Sequence, residues 1–244
     1  MEYGVAKRFK VGEIHTLIDI GAHSGQVSAC IFGSIAPDRI IALEPCKENF
    51  DRLLERNKKL GDVFECYNVA YGCGKDLYYK YKKATGMRRF LTEKEKKHWI
   101  PDESILPEIQ YPYPIESKTL EQIFQDYNID FDKPYIIKMD CEGCERFLLE
   151  NEEDLLYVKN AALFTAEFHF FGNDFDGTPR AKSTKCDDFF HWVWDNFSDT
   201  HDILIGVREY MIREDEVHKM KKWFSARKLR LIKLVSKKWS KRSI

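Results

Sequence analysis

Leu17-Ile18-Asp19-Ile20-Gly21-Ala22-His23-Ser24-Gly25, followed by Ile40-Ile41-Ala42-Leu43-Glu44-Pro45, is the stretch of sequence on which the fold turns. Two short apolar runs of buried-strand length flank a segment of helical pattern. The first ends in small residues, and the second ends in a carboxylate about 20 residues downstream. This order reads as strand, tight turn, helix and second strand of a nucleotide-binding unit. Gly21 and Gly25 let the backbone turn sharply and approach a ligand, and Glu44 is placed to accept hydrogen bonds from both hydroxyls of a ribose.

The glycine spacing argues about which nucleotide. A pyrophosphate is brought onto a helix N-terminus by a G-x-G-x-x-G turn, whereas this chain has Gly21-x-x-x-Gly25 with His23 where another glycine would sit. S-adenosylmethionine carries a sulfonium and an amino group but no phosphate, so it suits this turn better, with Asp19 supplying a favourable charge. The bland alternative is a strand-to-helix turn that uses glycine for geometry alone, with Asp19 as a helix cap.

Beyond this unit the chain alternates. Strands are expected near Thr16–Ile20, Arg39–Leu43, Phe64–Val69, Tyr135–Met139 and Ala161–Phe168, with helical patterns at Gln26–Ile35, Lys47–Leu60, Leu120–Tyr127 and Cys144–Tyr157. Alternation of this kind implies a parallel sheet whose ligands sit beyond the C-terminal strand ends. Asp19, Glu44, Asn68, Asp140 and His169 all fall at such ends, so five polar groups are expected to converge on one rim.

The block Tyr135-Ile136-Ile137-Lys138-Met139-Asp140-Cys141-Glu142-Gly143-Cys144-Glu145 resembles the K-I-D-V-E-G-A-E signature of FkbM-like methyltransferases. Four other segments agree with that family in order: the D-I-G-A-x-x-G turn from Asp19, Leu43-Glu44-Pro45, Asn68-Val69-Ala70-Tyr71-Gly72, and Ala166-Glu167-Phe168-His169. The resemblance covers roughly residues 16 to 207, and its D-x-E-G-x-E block is more specific than the glycine turn. It implies an α/β, Rossmann-like class I methyltransferase fold, a mostly parallel central sheet with helices on both faces. It also implies an enzyme using S-adenosylmethionine to O-methylate a hydroxyl of a sugar, glycan or polyketide-like molecule. The cofactor-binding set is then Asp19, Gly21, His23, Gly25, Glu44, Asn68 and Val69. The departures are His23 where Asn is common, cysteines at two usually aliphatic or small positions, a long segment from Lys83 to Glu116, and an unfamiliar C-terminus.

Methyl transfer to an aliphatic hydroxyl needs a base to take the proton as the bond forms. His169, with an ordinary pKa near 6.5, and Asp140 are the catalytic candidates. Glu142 and Glu145 are expected to orient the acceptor; gathering a magnesium ion with Asp140 is the less favoured alternative. Glu142 can equally pair with Arg146 on a helix surface. Cys141-x-x-Cys144 has no second Cys or His pair at metal-ligand spacing, so no zinc or redox site is expected there.

The 244 residues are 43% hydrophobic and 32% charged with a net charge of −1, which fits one globular domain over residues 1–244 with a core at about 12–210. Residues 83–116, punctuated by Gly86, Pro101, Pro107, Pro112 and Pro114, read as a substrate lid. No signal peptide or apolar span is evident, and seven cysteines in no regular pattern fit reduced thiols, so a cytoplasmic protein is expected. The segment 211–244 is basic, and from Val217 onward it contains no acid. It reads either as an amphipathic contact for an anionic membrane or RNA, or as a last sheet strand at Leu229 to Val235. The partner expected is a small-molecule or glycan acceptor. A nucleic acid, with RNA ribose methylation as its form, is the alternative, as is a non-catalytic cofactor-binding or membrane-surface module. The residues leave the oligomeric state open.

Overall fold

The computed structural model describes residues 8–82, 87–91, 113–141, 143–168, 185–205, 210–211 and 231–240. In chain order its first half contains β1 (Thr16–Ile20), α1 (Gln26–Ile35), β2 (Arg39–Leu43), α2 (Lys47–Asn57), β3 (Phe64–Tyr67), β4 (Ala70–Tyr71), β5 (Leu77–Lys82), β6 (Met87–Leu91), β7 (Tyr113–Ile115) and β8 (Ser117–Lys118). There follow α3 (Leu120–Asp126), β9 (Tyr135–Met139), α4 (Phe147–Glu150), α5 (Asp154–Asn160) and β10 (Leu163–Glu167). The last elements are α6 (Lys185–Phe197), β11 (His201–Ile205), β12 (Tyr210–Met211), β13 (Leu231–Ser236) and α7 (Lys237–Ser240).

Eight strands form the central sheet in the order β12-β11-β13-β10-β9-β1-β2-β3. The pairs β1/β2, β2/β3, β1/β9 and β9/β10 are parallel, while β13 runs antiparallel to both β10 and β11. β1 and β9 are buried along their whole length, and β2 nearly so, as strands covered on both faces must be. Ile18, Ile41, Ile137 and Phe164 pack on one face against Leu120, Ile123 and Phe124 of α3, Phe147 of α4 and Phe197 of α6. Leu17, Ile40, Ile136 and Leu163 pack on the other against Ile31 and Ile35 of α1, Leu53 of α2 and Trp239 of α7. This is the mostly parallel Rossmann-like sheet with helices on both faces that the resemblance implies. Chain order reverses between β1 and β9, so the crevice above their C-terminal ends is where such a sheet receives a ligand.

Local signals account for several boundaries. Thr119 and Gln122 form a reciprocal capping box, with Gln122 N donating to Thr119 Oγ1 at 3.2 Å and Thr119 N to Gln122 Oε1 at 3.0 Å, which starts α3 at Leu120. The helix expected over Cys144–Tyr157 is instead a 3-10 turn at Cys144–Arg146, the short α4, and a separate α5. The break follows from Asp154. Its buried carboxylate accepts Leu120 N at 2.8 Å and the Tyr71 hydroxyl at 2.9 Å, so its residue is drawn inward to serve α3 and β4.

Within residues 83–116, β6 and β7 pair antiparallel with β5 in a separate three-stranded sheet of order β6-β5-β7. Pro114 lies in β7, an edge strand, where a missing amide is tolerated. The remainder of the expected lid, 83–86 and 92–112, lies outside the described residues. At the C-terminus the strand reading holds: β13 is inserted between β10 and β11 and buried from Ile232 to Ser236. A membrane or RNA contact is therefore not available to that strand, and 212–230 lie outside the described residues. No described helix is long and apolar enough to cross a membrane.

Two buried titratable groups oppose each other in pH dependence. Burial pushes the Asp154 carboxyl up to about 6 and the His201 imidazole down to about 4. Between about pH 4 and 6 the folded state holds a proton on Asp154 that the unfolded chain has released, so this contribution favours the fold at low pH and is lost as pH rises. His201 contributes in the other direction, because the unfolded imidazole gains its proton below about pH 6.5 and the folded one does not. In Asp154→Asn only the second trend remains. Urea unfolding should therefore show the stability difference between variant and wild type moving in the variant's favour by on the order of 2–3 kcal/mol from pH 4 to pH 7. A pH-independent difference would remove the assignment.

Candidate functional site

The register places Asp19 of β1 beside Ala42 of β2 and Lys138 of β9, and the chain leaves β1 and β9 at the same height. Asp140 N donates to Ile20 O at 3.0 Å, which carries the β1–β9 pairing one residue past both strands. Gly21, at φ +76°, then turns the chain away. A Cβ there would lie 1.9 Å from the carbonyl oxygen of Asp140, so only glycine fits against the β9 backbone. Gly25, at φ +75°, opens α1 where a Cβ would lie 2.4 Å from Asn57 Nδ2 of α2. Between them His23 has φ +52°, a conformation that His, Asn and Asp adopt more readily than other side-chain-bearing residues.

The turn's backbone donors are mostly spent within the protein. Gly21 N and Ala22 N both donate to Leu43 O at 2.9 Å, and Gly25 N donates to Ala22 O at 2.8 Å. His23 N donates to Glu44 Oε2 at 2.8 Å, so the acid at the tip of β2 is tied to the turn. Glu44 Oε1 accepts Cys46 N at 2.9 Å, with Asn49 Nδ2 at 3.4 Å. The carboxylate is only 6% exposed, and burial pushes its pKa up against the lowering effect of these donors. Asn68, just past β3, secures the same corner, donating through Nδ2 to Glu44 O at 2.8 Å and to Pro45 O at 3.0 Å. Val69 is buried in the core.

Beneath the turn lies a buried charge pair. Asp19 is 0% exposed, its Oδ1 2.9 Å from Lys138 Nζ, and it accepts the Ser28 hydroxyl from α1 on Oδ2. Lys138 Nζ also donates to Gly21 O at 2.8 Å. Burial by itself would push the lysine down, but the charges of Asp19 and Asp140 outweigh it and its pKa is raised. Removing one partner of such a pair costs about 3–5 kcal/mol, because the other charge is left buried and unpaired.

The expected site residues thus divide. Gly21, His23, Gly25, Glu44 and Asn68 meet in one corner, and half-buried Asp140 follows β9 with its backbone directly against Gly21. Asp19 is not open on the rim: its carboxylate braces the turn from below. Glu145, expected to orient an acceptor, is 0% exposed and instead accepts Cys141 N at 3.0 Å and Gly143 N at 2.9 Å. With two backbone amides to satisfy, it holds the loop after β9 in shape. Glu142 and His169 lie outside the described residues. Among the described residues no three His, Cys, Asp or Glu side chains gather to hold a metal ion. Lys138 and Ser28 were not singled out by the sequence. A lysine inside an otherwise apolar strand was the available signal for the first.

The sequence profile of the methyltransferase FkbM domain matches residues 19–214. The chain belongs to that family. Among solved structures, this FkbM-domain chain is similar to the FkbM methyltransferase from Methylobacillus flagellatus KT, with a TM-score of 0.50 and 14% identity over 92% of this chain. The match spans 44% of that relative, so this chain corresponds to less than half its length. An rRNA methylase from Streptococcus thermophilus is similar at a TM-score of 0.43 and 8% identity, over 93% of this chain and 89% of that one. TrmK of M. capricolum, solved in complex with S-adenosylhomocysteine, is similar at a TM-score of 0.40 and 11% identity, over 96% and 66%. At these identities the likenesses concern the fold. No curated protein sequence matches the chain.

The close approach of Gly21 to the β9 backbone gives a direct test. Gly21→Ala should destabilise the fold by on the order of 2–4 kcal/mol, read by chemical denaturation, since neither a backbone carbonyl nor a left-handed turn can yield cheaply. A change under about 1 kcal/mol would mean that the turn sits further from Asp140.

Proposed function

We propose that this chain binds S-adenosylmethionine at the Gly21–Glu44 corner and transfers its methyl group to a hydroxyl of a sugar, glycan or polyketide-like small molecule. Membership of a methyltransferase family supports the reaction class. The observation that carries the cofactor is the state of the turn. Gly21, Ala22, His23 and Gly25 all donate their N–H groups within the protein, which leaves little to cradle a diphosphate. A buried acid stands instead at the tip of the second strand, pre-oriented by two backbone amides, the position from which a carboxylate accepts ribose hydroxyls.

When bound, the cofactor supplies an electrophilic methyl group on a sulfonium. The protein's task is to hold an acceptor oxygen about 3 Å from that carbon, exclude water and manage one proton. Asp140, at the C-terminal end of β9 beside Gly21, is assigned to orient the acceptor hydroxyl, and His169 to take its proton. A neutral imidazole at physiological pH has the acceptor nitrogen this step needs. Glu142 belongs to the same acceptor side. Glu145 acts through the loop it braces rather than by touching the acceptor.

Calorimetric titration with S-adenosylmethionine, S-adenosylhomocysteine and NAD tests the reading. Micromolar binding of the two sulfur ligands and none of NAD is expected. Glu44→Gln, which keeps the size of the side chain but sets an amide NH2 against one of the two backbone N–H groups, should weaken both by about tenfold or more, at a cost of about 1–3 kcal/mol in stability. Absence of binding to folded protein would overturn the cofactor assignment. Asp140→Asn should keep cofactor affinity within about threefold while lowering turnover at least a hundredfold on whichever acceptor proves active, RNA being included in the screen. Full turnover in that variant would remove Asp140 from the chemistry.

A further inference from the structure

One sheet face carries a row of polar side chains across four neighbouring strands. The register sets Asp19 of β1 beside Lys138 of β9, Lys138 beside Thr165 of β10, and Thr165 beside Lys233 of β13. All four are buried, and Thr165 Oγ1 has no hydrogen-bond partner among the described residues. An apolar sheet interior does not need such a row, so the question is what each member does there.

Lys138 joins the row to the turn after β1. Its ammonium stands 2.9 Å from Asp19 and donates to the carbonyl of Gly21 at 2.8 Å, while Ser28 holds the other carboxylate oxygen from α1. Gly21 is therefore tethered on both of its backbone polar groups, its N–H to Leu43 O of β2 and its C=O to a side chain of β9. Glycine is the residue with the most backbone freedom to lose, and here both flanking peptide planes are held by strands on either side. A counter-ion for Asp19 would need only the first of Lys138's two contacts.

We infer that Lys138 is a positioning residue for the cofactor, setting the orientation of the Gly21 turn through the Gly21 carbonyl as well as neutralising Asp19. The inference rests on the cofactor reading above. The two roles separate by charge. Lys138→Met alone strands a buried carboxylate and Asp19→Asn a buried ammonium, each at a cost to stability, so affinity is compared on folded samples of Asp19→Asn, which keeps the Gly21 contact, and of the double variant D19N/K138M, which removes both charges with little change in volume.

The measurement is S-adenosylhomocysteine affinity by calorimetry, with thermal unfolding and hydrogen exchange of the peptide covering 17–25 on the same samples. Asp19→Asn keeps the bond to Gly21 and should bind within about threefold of wild type. D19N/K138M should bind at least about tenfold more weakly, with faster exchange at 21–25 although the protein remains folded. Wild-type affinity and exchange in the folded double variant would reduce Lys138 to a counter-ion and overturn the inference. A tenfold loss in folded Asp19→Asn would do the same, and this variant decides the matter if the double variant does not fold. Failure of the wild type to bind the ligand would instead overturn the cofactor reading, and the inference with it.

Discussion

The parallel pairing of β1 with β9 is the constraint on which the rest of the site depends. It is a long-range contact: the bond from Lys138 to Gly21 joins residues 117 apart in the chain. Once the two strands lie side by side, the glycine turn must leave β1 against the backbone of Asp140, where no Cβ fits. Every other feature of the crevice is arranged around that contact. β2 supplies the carbonyl that receives Gly21 N and Ala22 N, and Asn68, the residue after β3, fastens the Glu44–Pro45 corner.

Acids of the same chemical type have been given different work by burial and by what lies within reach. Asp19 is sealed against the Lys138 ammonium and the Ser28 hydroxyl, and Glu145 against two backbone amides. Glu44 is nearly sealed but sits at a strand tip facing the turn, and Asp140 is half-buried at the crevice. Braces of this kind are a common solution where irregular backbone must be held still. A buried N–H left without an acceptor costs about 1–3 kcal/mol, so a carboxylate that serves two of them stabilises a loop that the sheet itself does not reach. Preorganisation of the rim thus comes from buried side chains beneath it.

The departures from simple alternation have equally local causes. Asp154 divides what the apolar pattern reads as one helix, because its carboxylate is needed by α3 and β4. Pro114 obscures an edge strand in which proline is harmless. At the C-terminus the apolar run reads as a last strand, but its place in the middle of the sheet, between β10 and β11, is not written in it.

Short-range information was enough for much of this. The bounds of β1, β2, β9 and α1 follow from apolar runs, glycines and charged punctuation alone, because strands buried on both faces admit few polar residues. The family signature in those same strands identified the class of fold. Which acids are sealed and which stays half-buried was decided only by tertiary structure, since the sequence of Asp19, Glu44, Asp140 and Glu145 records residue type and not the partners that surround them. The place of Lys138 shows the reason most plainly: its side chain acquires a role only when β9 lies against β1, and that neighbour is far away along the chain.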